Sequence, residues 1–310
     1  METRLHTYMI KLSTNMWGDE GSSWKYAPYH EELKTDYATW RQVIDYLPSQ
    51  GFNSVLIDLG DAIQYETHPE ISVKGAWSKE MLKKELDHMR SIGLMPIPKL
   101  NFSAAHDAWL GIYHRMVSTP VYYEVCKDII MEVIELFDTP EYFHLGLDEE
   151  NIDHQKGFSY VCIRQRDLWW HDAYFFFDIV EKAGCRPWVW ADYCWEEPKA
   201  YLEKMPRSVL QSNWAYDPIA KNADGTYKSI RYQTYVTLEE HGFDQVPTCS
   251  NWTCWYNTRD TMALADKHIA PERLKGYMMA PWQFTYPGSL HALLDGALRY
   301  GEALRERGEL

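Results

Sequence analysis

Tyr142-Phe143-His144-Leu145-Gly146-Leu147-Asp148-Glu149-Glu150 reads as a strand that runs out into acids near the middle of the chain. Phe143, Leu145 and Leu147 alternate with His144, Gly146 and Asp148. That period of two marks a strand whose two faces meet different surroundings. Three consecutive carboxylates at its C-terminal end point to acid–base chemistry. The plainer reading is an acidic loop that caps the next helix. The flanking sequence decides between them.

The same rhythm runs upstream and downstream. Residues 7–13 predict a first strand, followed by an irregular loop through Trp17, Gly18 and Trp24. Trp40, Val43, Ile44 and Leu47 have the spacing of an amphipathic helix, ended by Pro48 and Gly51. Val55 to Leu59 is a short apolar run, as expected of a buried parallel strand. Ser78 can cap a helix that turns Leu82, Leu86 and Met89 inward and stops at Gly93. Residues 94–100 form the third strand. Thr119-Pro120 starts a helix with Val125, Ile129, Val133 and Leu136 as its inner stripe. The opening stretch is strand four. Further strands are expected at 187–191, 209–212, 246–250 and 276–280. Helices are expected at 166–183 and 231–241, from Thr258, and at 289–305.

Strand then helix, eight times over and without a Ser/Gly-rich linker, predicts an α/β fold. It is a single (β/α)8 TIM barrel spanning residues 1–310 as one domain. A doubly wound open sheet would usually carry a Gly-rich phosphate turn, and neither GxGxxG nor GxxxxGK[ST] occurs. No internal repeat or low-complexity tract interrupts the pattern.

The net charge of -14 argues against nucleic acid as a partner. No apolar run is long enough to span a membrane, and none follows Met1-Glu2-Thr3 as a signal peptide would, so a cytoplasmic location is expected. The six cysteines form no CxxC pair and read as free thiols. No cofactor is expected, and the sequence sets no oligomeric state. The outlying feature is aromatic: 14 Trp and 22 Tyr, which suit a heavy core or a stacking surface.

In a barrel of this kind, catalytic groups sit at the C-terminal ends of strands. Those ends carry Asp58 and Asp61, then Lys99, Asn101 and His106, then Asp148, Glu149 and Glu150. Strands five to eight end in Trp190 with Asp192, Gln211 with Trp214, Asn251 with Trp252, and Trp282 with Gln283. A lone Trp is more often core than platform, yet four successive strand ends carry one. An aromatic-walled pocket with acids suits a sugar ring, and so a carbohydrate substrate. Metal binding competes for Asp58, His106, His144, Asp148 and Glu149, although no HExxH-type spacing appears.

His144-Leu145-Gly146-Leu147-Asp148-Glu149 resembles the H-x-G-x-D-E signature of family 20 glycoside hydrolases, the β-N-acetylhexosaminidases. The likeness continues along the barrel. It includes Asn53 to Asp61, His68-Pro69-Glu70-Ile71 with Gly75-Ala76, Ile92-Gly93-Leu94 with Pro98, Trp190-Ala191-Asp192, and Gly276 to Trp282. His106 falls where the family has the His of a P-G-H turn.

The resemblance implies substrate-assisted retention, in which the sugar's 2-acetamido oxygen is the nucleophile. Glu149 would be the acid/base and Asp148 would orient the acetamido group. Substrate contacts would come from His106, His144, Trp190, Asp192, Trp214, Trp252, Trp282 and Asp61, with no metal. There are departures. No Arg stands at strand one, where the sequence reads His6 to Lys11, and the final W-x-E reads Trp282-Gln283-Phe284. These losses of recognition groups keep two other readings open: a non-hydrolytic carbohydrate-binding barrel, and a metal-dependent isomerase or lyase.

Overall fold

The computed structural model describes residues 4–22 and 27–310; Trp24 of the first loop lies outside them. In chain order the elements begin β1 (Leu5–Lys11), α1 (Tyr37–Tyr46), β2 (Ser54–Asp58), α2 (Lys79–Ser91), β3 (Met95–Lys99) and α3 (Pro120–Leu136). Next come β4 (Tyr142–His144), α4 (Ile152–Gln155), α5 (Asp167–Lys182), β5 (Arg186–Trp190), α6 (Tyr193–Glu196) and α7 (Pro198–Lys204). The chain ends with β6 (Leu210–Ser212), α8 (Ile230–Glu240), β7 (Thr248–Cys249), α9 (Asn257–His268), β8 (Gly276–Met279) and α10 (Leu290–Glu306).

All strands run parallel in the order β6-β5-β4-β3-β2-β1-β8-β7. The remaining seam, between β6 and the approach to β7, closes through main-chain bonds. Val246 N donates to Gln211 O at 2.8 Å and Thr248 N to Asn213 O at 3.0 Å. The expected (β/α)8 barrel is the observed fold.

Helix starts follow the capping chemistry in the sequence. Ser78 accepts from Met81 N at the head of α2, and Thr119 accepts from Tyr122 N, with Pro120 in the first turn of α3. Strand residues alternate between two cores. Tyr8, Ile10, Val55, Ile57, Phe143 and Val189 pack outward against the helices. Met9, Leu56, Ile97, Tyr142, Trp188 and Trp190 fill the barrel interior. Because both faces are buried, the strands read as nearly unbroken apolar runs.

The register aligns Lys11 with Asp58, Asp58 with Lys99, Lys99 with His144, and His144 with Trp188. One layer near the C-terminal ends therefore carries two lysines, an acid and a histidine. Here the structure corrects the reading of strand four, whose regular part stops at His144. Gly146, Leu147 and Glu149 all have positive φ, at 71°, 68° and 54°. Asn101 forces the turn: its Oδ1 accepts from Leu147 N at 3.2 Å, and a Cβ on Gly146 would lie 1.9 Å from that oxygen. Only glycine fits there.

Candidate active site

The turn after β4 presents Asp148 and Glu149 side by side. Asp148 Oδ1 accepts from Asn101 Nδ2 at 2.7 Å. His106 Nε2 sits 3.4 Å from Asp148 and 3.2 Å from Glu149, close enough for an ion pair with either but off the line of a good hydrogen bond. The other oxygen of Glu149 lies 3.2 Å from His154 Nε2. Asn151 caps α4 and accepts from His154 Nδ1 at 2.9 Å. The His154 pKa is raised, chiefly by its contact with Glu149 and against the effect of burial.

Burial alone would push the Glu149 carboxyl up, but the contacts from His106 and His154 outweigh it and hold the group well below the usual range. Asp192 takes the opposite state. Burial, with the charges of Asp148 and Glu149, pushes it well above the usual carboxylate value. Its Oδ2 accepts from Glu149 N at 2.8 Å and its Oδ1 from Trp214 Nε1 at 3.4 Å. Two neighbouring strand ends thus hold one carboxyl pushed down and one pushed up, the split on which paired acid–base work rests.

A cavity of about 570 Å³ opens above these acids, within the range of about 300–1,000 Å³ usual for ligand pockets. Asp148, Glu149 and His154 form one wall, with Trp214, Tyr216, Trp252 and Trp282 facing them and Trp17 and Phe284 completing the rim. Trp282 Nε1 donates to the Tyr216 hydroxyl at 2.8 Å, and Tyr216 stacks on Trp214 at 5.3 Å. Trp252 stays 57% exposed, a free platform at the rim.

Similar folds occur among solved structures. An exo-β-N-acetylglucosaminidase from Vibrio harveyi, solved with N-acetylglucosamine, aligns over 97% of this chain and 54% of its own, at 14% identity and TM-score 0.66. A β-N-acetylhexosaminidase from Bacteroides fragilis aligns over 98% and 70%, at 15% identity and TM-score 0.62. Dispersin B aligns over 96% of this chain and 98% of its own, at 14% identity and TM-score 0.59. The chain shares the (β/α)8 barrel fold of these enzymes. It spans about half the length of the Vibrio enzyme. No protein-family model and no curated protein matches the sequence.

Within the barrel the expected residues divide by position. Asp148, Glu149, Trp214, Trp252 and Trp282 line the cavity. His106 and Asp192 stand one contact behind it. Trp190 and His144 lie deeper: Trp190 packs against Trp282 at 5.7 Å, and His144 lies 4.7 Å from Trp190 and 5.3 Å from Trp188. His144 Nδ1 accepts from Gly146 N, and burial holds its pKa well down, so it is a neutral prop for the turn.

Asp61 departs from expectation and is absent from the cavity lining. It accepts from Ser13 Oγ and Asn15 Nδ2, each at 2.7 Å, and tethers the loop after β1. Burial pushes its carboxyl up to about 7 against the pull of those bonds. Glu150, the third acid, is turned away and buried in a pair with Arg164, which also reaches Asp172 at 3.1 Å.

The five residues weighed for a metal also separate. His106, Asp148 and Glu149 bring one donor atom each to within 4.8 Å of one another. Asp58 is bound to Lys99 at 2.8 Å, and His144 packs against Trp188 and Trp190 with its Nδ1 taken by Gly146 N. Lys99 is therefore spent on Asp58.

The sequence reading passed over Trp17, Tyr216, His154 and Lys11. Tyr216 had a signal, lying two residues beyond Trp214. Lys11 ends β1 with its amine buried, without a hydrogen-bond partner among the described residues and 3.3 Å from the Trp17 ring centroid. Burial drives its pKa well down; Lys99 adds to this, while Asp58 and Asp148 oppose it.

Proposed function

We propose that the protein is a glycoside hydrolase that removes β-linked N-acetylhexosamine, with the sugar's own 2-acetamido oxygen as nucleophile. The observation that carries this reading is the Asp148–Glu149 pair at the end of β4, facing a cavity walled by Trp214, Tyr216 and Trp282. The family 20 barrel fold supports it, and two neighbours were solved with N-acetylglucosamine, one of them a Streptomyces plicatus hexosaminidase holding it as product.

Glu149 gives its proton to the glycosidic oxygen as the C1–O bond breaks. The acetamido oxygen closes on C1 to form an oxazolinium ring. Asp148, steadied by Asn101, accepts from the acetamido N–H and balances the positive charge. Water then attacks C1, gives its proton to Glu149, and the ring opens to the retained sugar. His106 and His154 favour the ionised form of Glu149. A leaving group in the cavity displaces those contacts, and burial then favours the protonated acid. Apolar sugar faces stack on the indoles. Six unpaired cysteines fit a reducing, cytoplasmic setting.

Gln283 in place of a carboxylate, and the lack of an arginine within His6 to Lys11, favour a second reading: a barrel that binds the sugar without turning it over. Aryl β-glycosides of N-acetylglucosamine, N-acetylgalactosamine, glucose and galactose, assayed with wild type and Glu149→Gln, separate the two. Cleavage confined to the acetamido sugars and lost in Glu149→Gln is the expected result. Cleavage of the plain glycosides overturns the acetamido mechanism. Binding without cleavage favours the second reading, and bound metal in the purified protein would favour a metal-dependent lyase or isomerase.

A further inference from the structure

Arg231, in the first turn of α8, lines the same cavity as Asp148 and Glu149. Its guanidinium carbon lies 4.4 Å from the Trp214 ring centroid and 4.8 Å from that of Trp195. Both indoles are fixed. Trp214 Nε1 donates to Asp192, Trp195 Nε1 donates to Asn213 Oδ1 at 3.1 Å, and Asn213 Nδ2 donates to the Arg231 carbonyl at 2.7 Å. The fork is therefore held in place before any ligand arrives.

Other arginines are already committed, Arg164 to Glu150 and Arg273 to Glu239. Among the described residues no carboxylate pairs with the Arg231 guanidinium; Asp217 lines the same cavity without forming an ion pair with it. The pocket is thus polarised, with acids at the end of β4 and an uncommitted, planar cation at the head of α8. A guanidinium in this state suits a carboxylate, sulfate or phosphate through paired N–H bonds.

Building on the hydrolase reading, we infer that the natural saccharide carries an anionic substituent, held by Arg231 beside Trp214. The substituent belongs either to the N-acetylhexosamine itself or to an acidic sugar on the leaving side. In both cases repulsion from Asp148 and Glu149 allows one orientation, so Arg231 sets register as well as affinity.

Calorimetry on the Glu149→Gln protein, with and without Arg231→Gln, tests this. The ligands are N-acetylglucosamine, its 6-sulfate, and β-N-acetylglucosaminyl disaccharides ending in glucose or glucuronic acid. The expected result is a preference of about tenfold or more for an anionic ligand over its neutral counterpart. It should shrink with added salt, collapse toward parity in Arg231→Gln and survive in part in Arg231→Lys. Preference for the sulfate places the charge on the hexosamine; preference for the glucuronide places it on the leaving side. Parity in the Arg231 protein, or a preference that Arg231→Gln leaves intact, overturns the inference while sparing the hydrolase reading. An equal loss for neutral and anionic ligands marks a merely structural arginine and also overturns it. Failure of every ligand to bind overturns the N-acetylhexosamine reading and this inference with it.

Discussion

The backbone amide of Glu149 donates to the Asp192 carboxyl at 2.8 Å, tying the end of β4 to the end of β5. Glu149 sits at φ 54°, a strained conformation for a residue with a side chain. Such strain costs about 1–3 kcal/mol and persists only where neighbours hold it. Asp192 is that neighbour, and burial with the charges of Asp148 and Glu149 pushes its own carboxyl up. Asp192→Asn keeps an oxygen acceptor without charge, so kcat should stay within about tenfold of wild type. Asp192→Ala removes the tether, and the misplaced acid should cost about 100-fold in kcat. Comparable losses in both variants would show that the charge of Asp192, and not its acceptor, is required.

His154 and Glu149 support each other's ionised forms, and this sets a pH window. The depressed carboxyl contributes stability above its unfolded pKa of about 4.3, lost as pH falls through the folded value. The raised imidazole contributes stability below about 6.5, lost as pH rises through its folded value. The stability gap between wild type and His154→Gln should therefore be widest between those two pH values and narrow on either side. Urea melts across pH measure it. With one fewer donor on the carboxylate, the alkaline limb of kcat/KM should also move upward in His154→Gln.

Neighbouring acids of the triplet should fail in different ways. Glu149→Gln gives up only the contacts with His106 and His154, so its urea midpoint should fall modestly. Glu150→Ala takes one of two carboxylate partners from the buried Arg164 guanidinium, whose side chain is 1% exposed, and leaves it Asp172. Breaking a buried pair from one side costs about 3–5 kcal/mol. Denaturant unfolding of the two variants should therefore separate them clearly.

Lys11 should destabilise the fold at neutral pH. In the unfolded chain it holds its proton up to about pH 10.4, whereas burial drives the folded value well down. Between those values the unfolded chain binds the extra proton, so stability rises with pH. Lys11→Met keeps the shape and removes the titration. Its Tm should exceed that of wild type at pH 7, with the gap closing as the pH approaches about 10.4. An equal gap at every pH would mean that packing, and not the proton, is responsible.

What the sequence determined by itself was whatever depends on near neighbours. The period-two strands, the helix stripes, the caps at Ser78 and Thr119 and the adjacency of Asp148 and Glu149 each lie within a few residues, and the backbone follows them directly. Tertiary structure decided where β4 stops, because the turn at Gly146 is imposed by Asn101 from the end of β3. It also decided the roles of otherwise identical carboxylates. Glu149 meets two histidines, Glu150 meets Arg164, Asp61 meets Ser13 and Asn15, and Asp192 meets a backbone amide. Tyr216, His154 and Arg231 reach one cavity from separate loops and helices because the barrel closes on itself. An acid's charge depends on which groups remove its water and which offer it protons. Many of those groups lie dozens of residues away along the chain, where no local pattern records them.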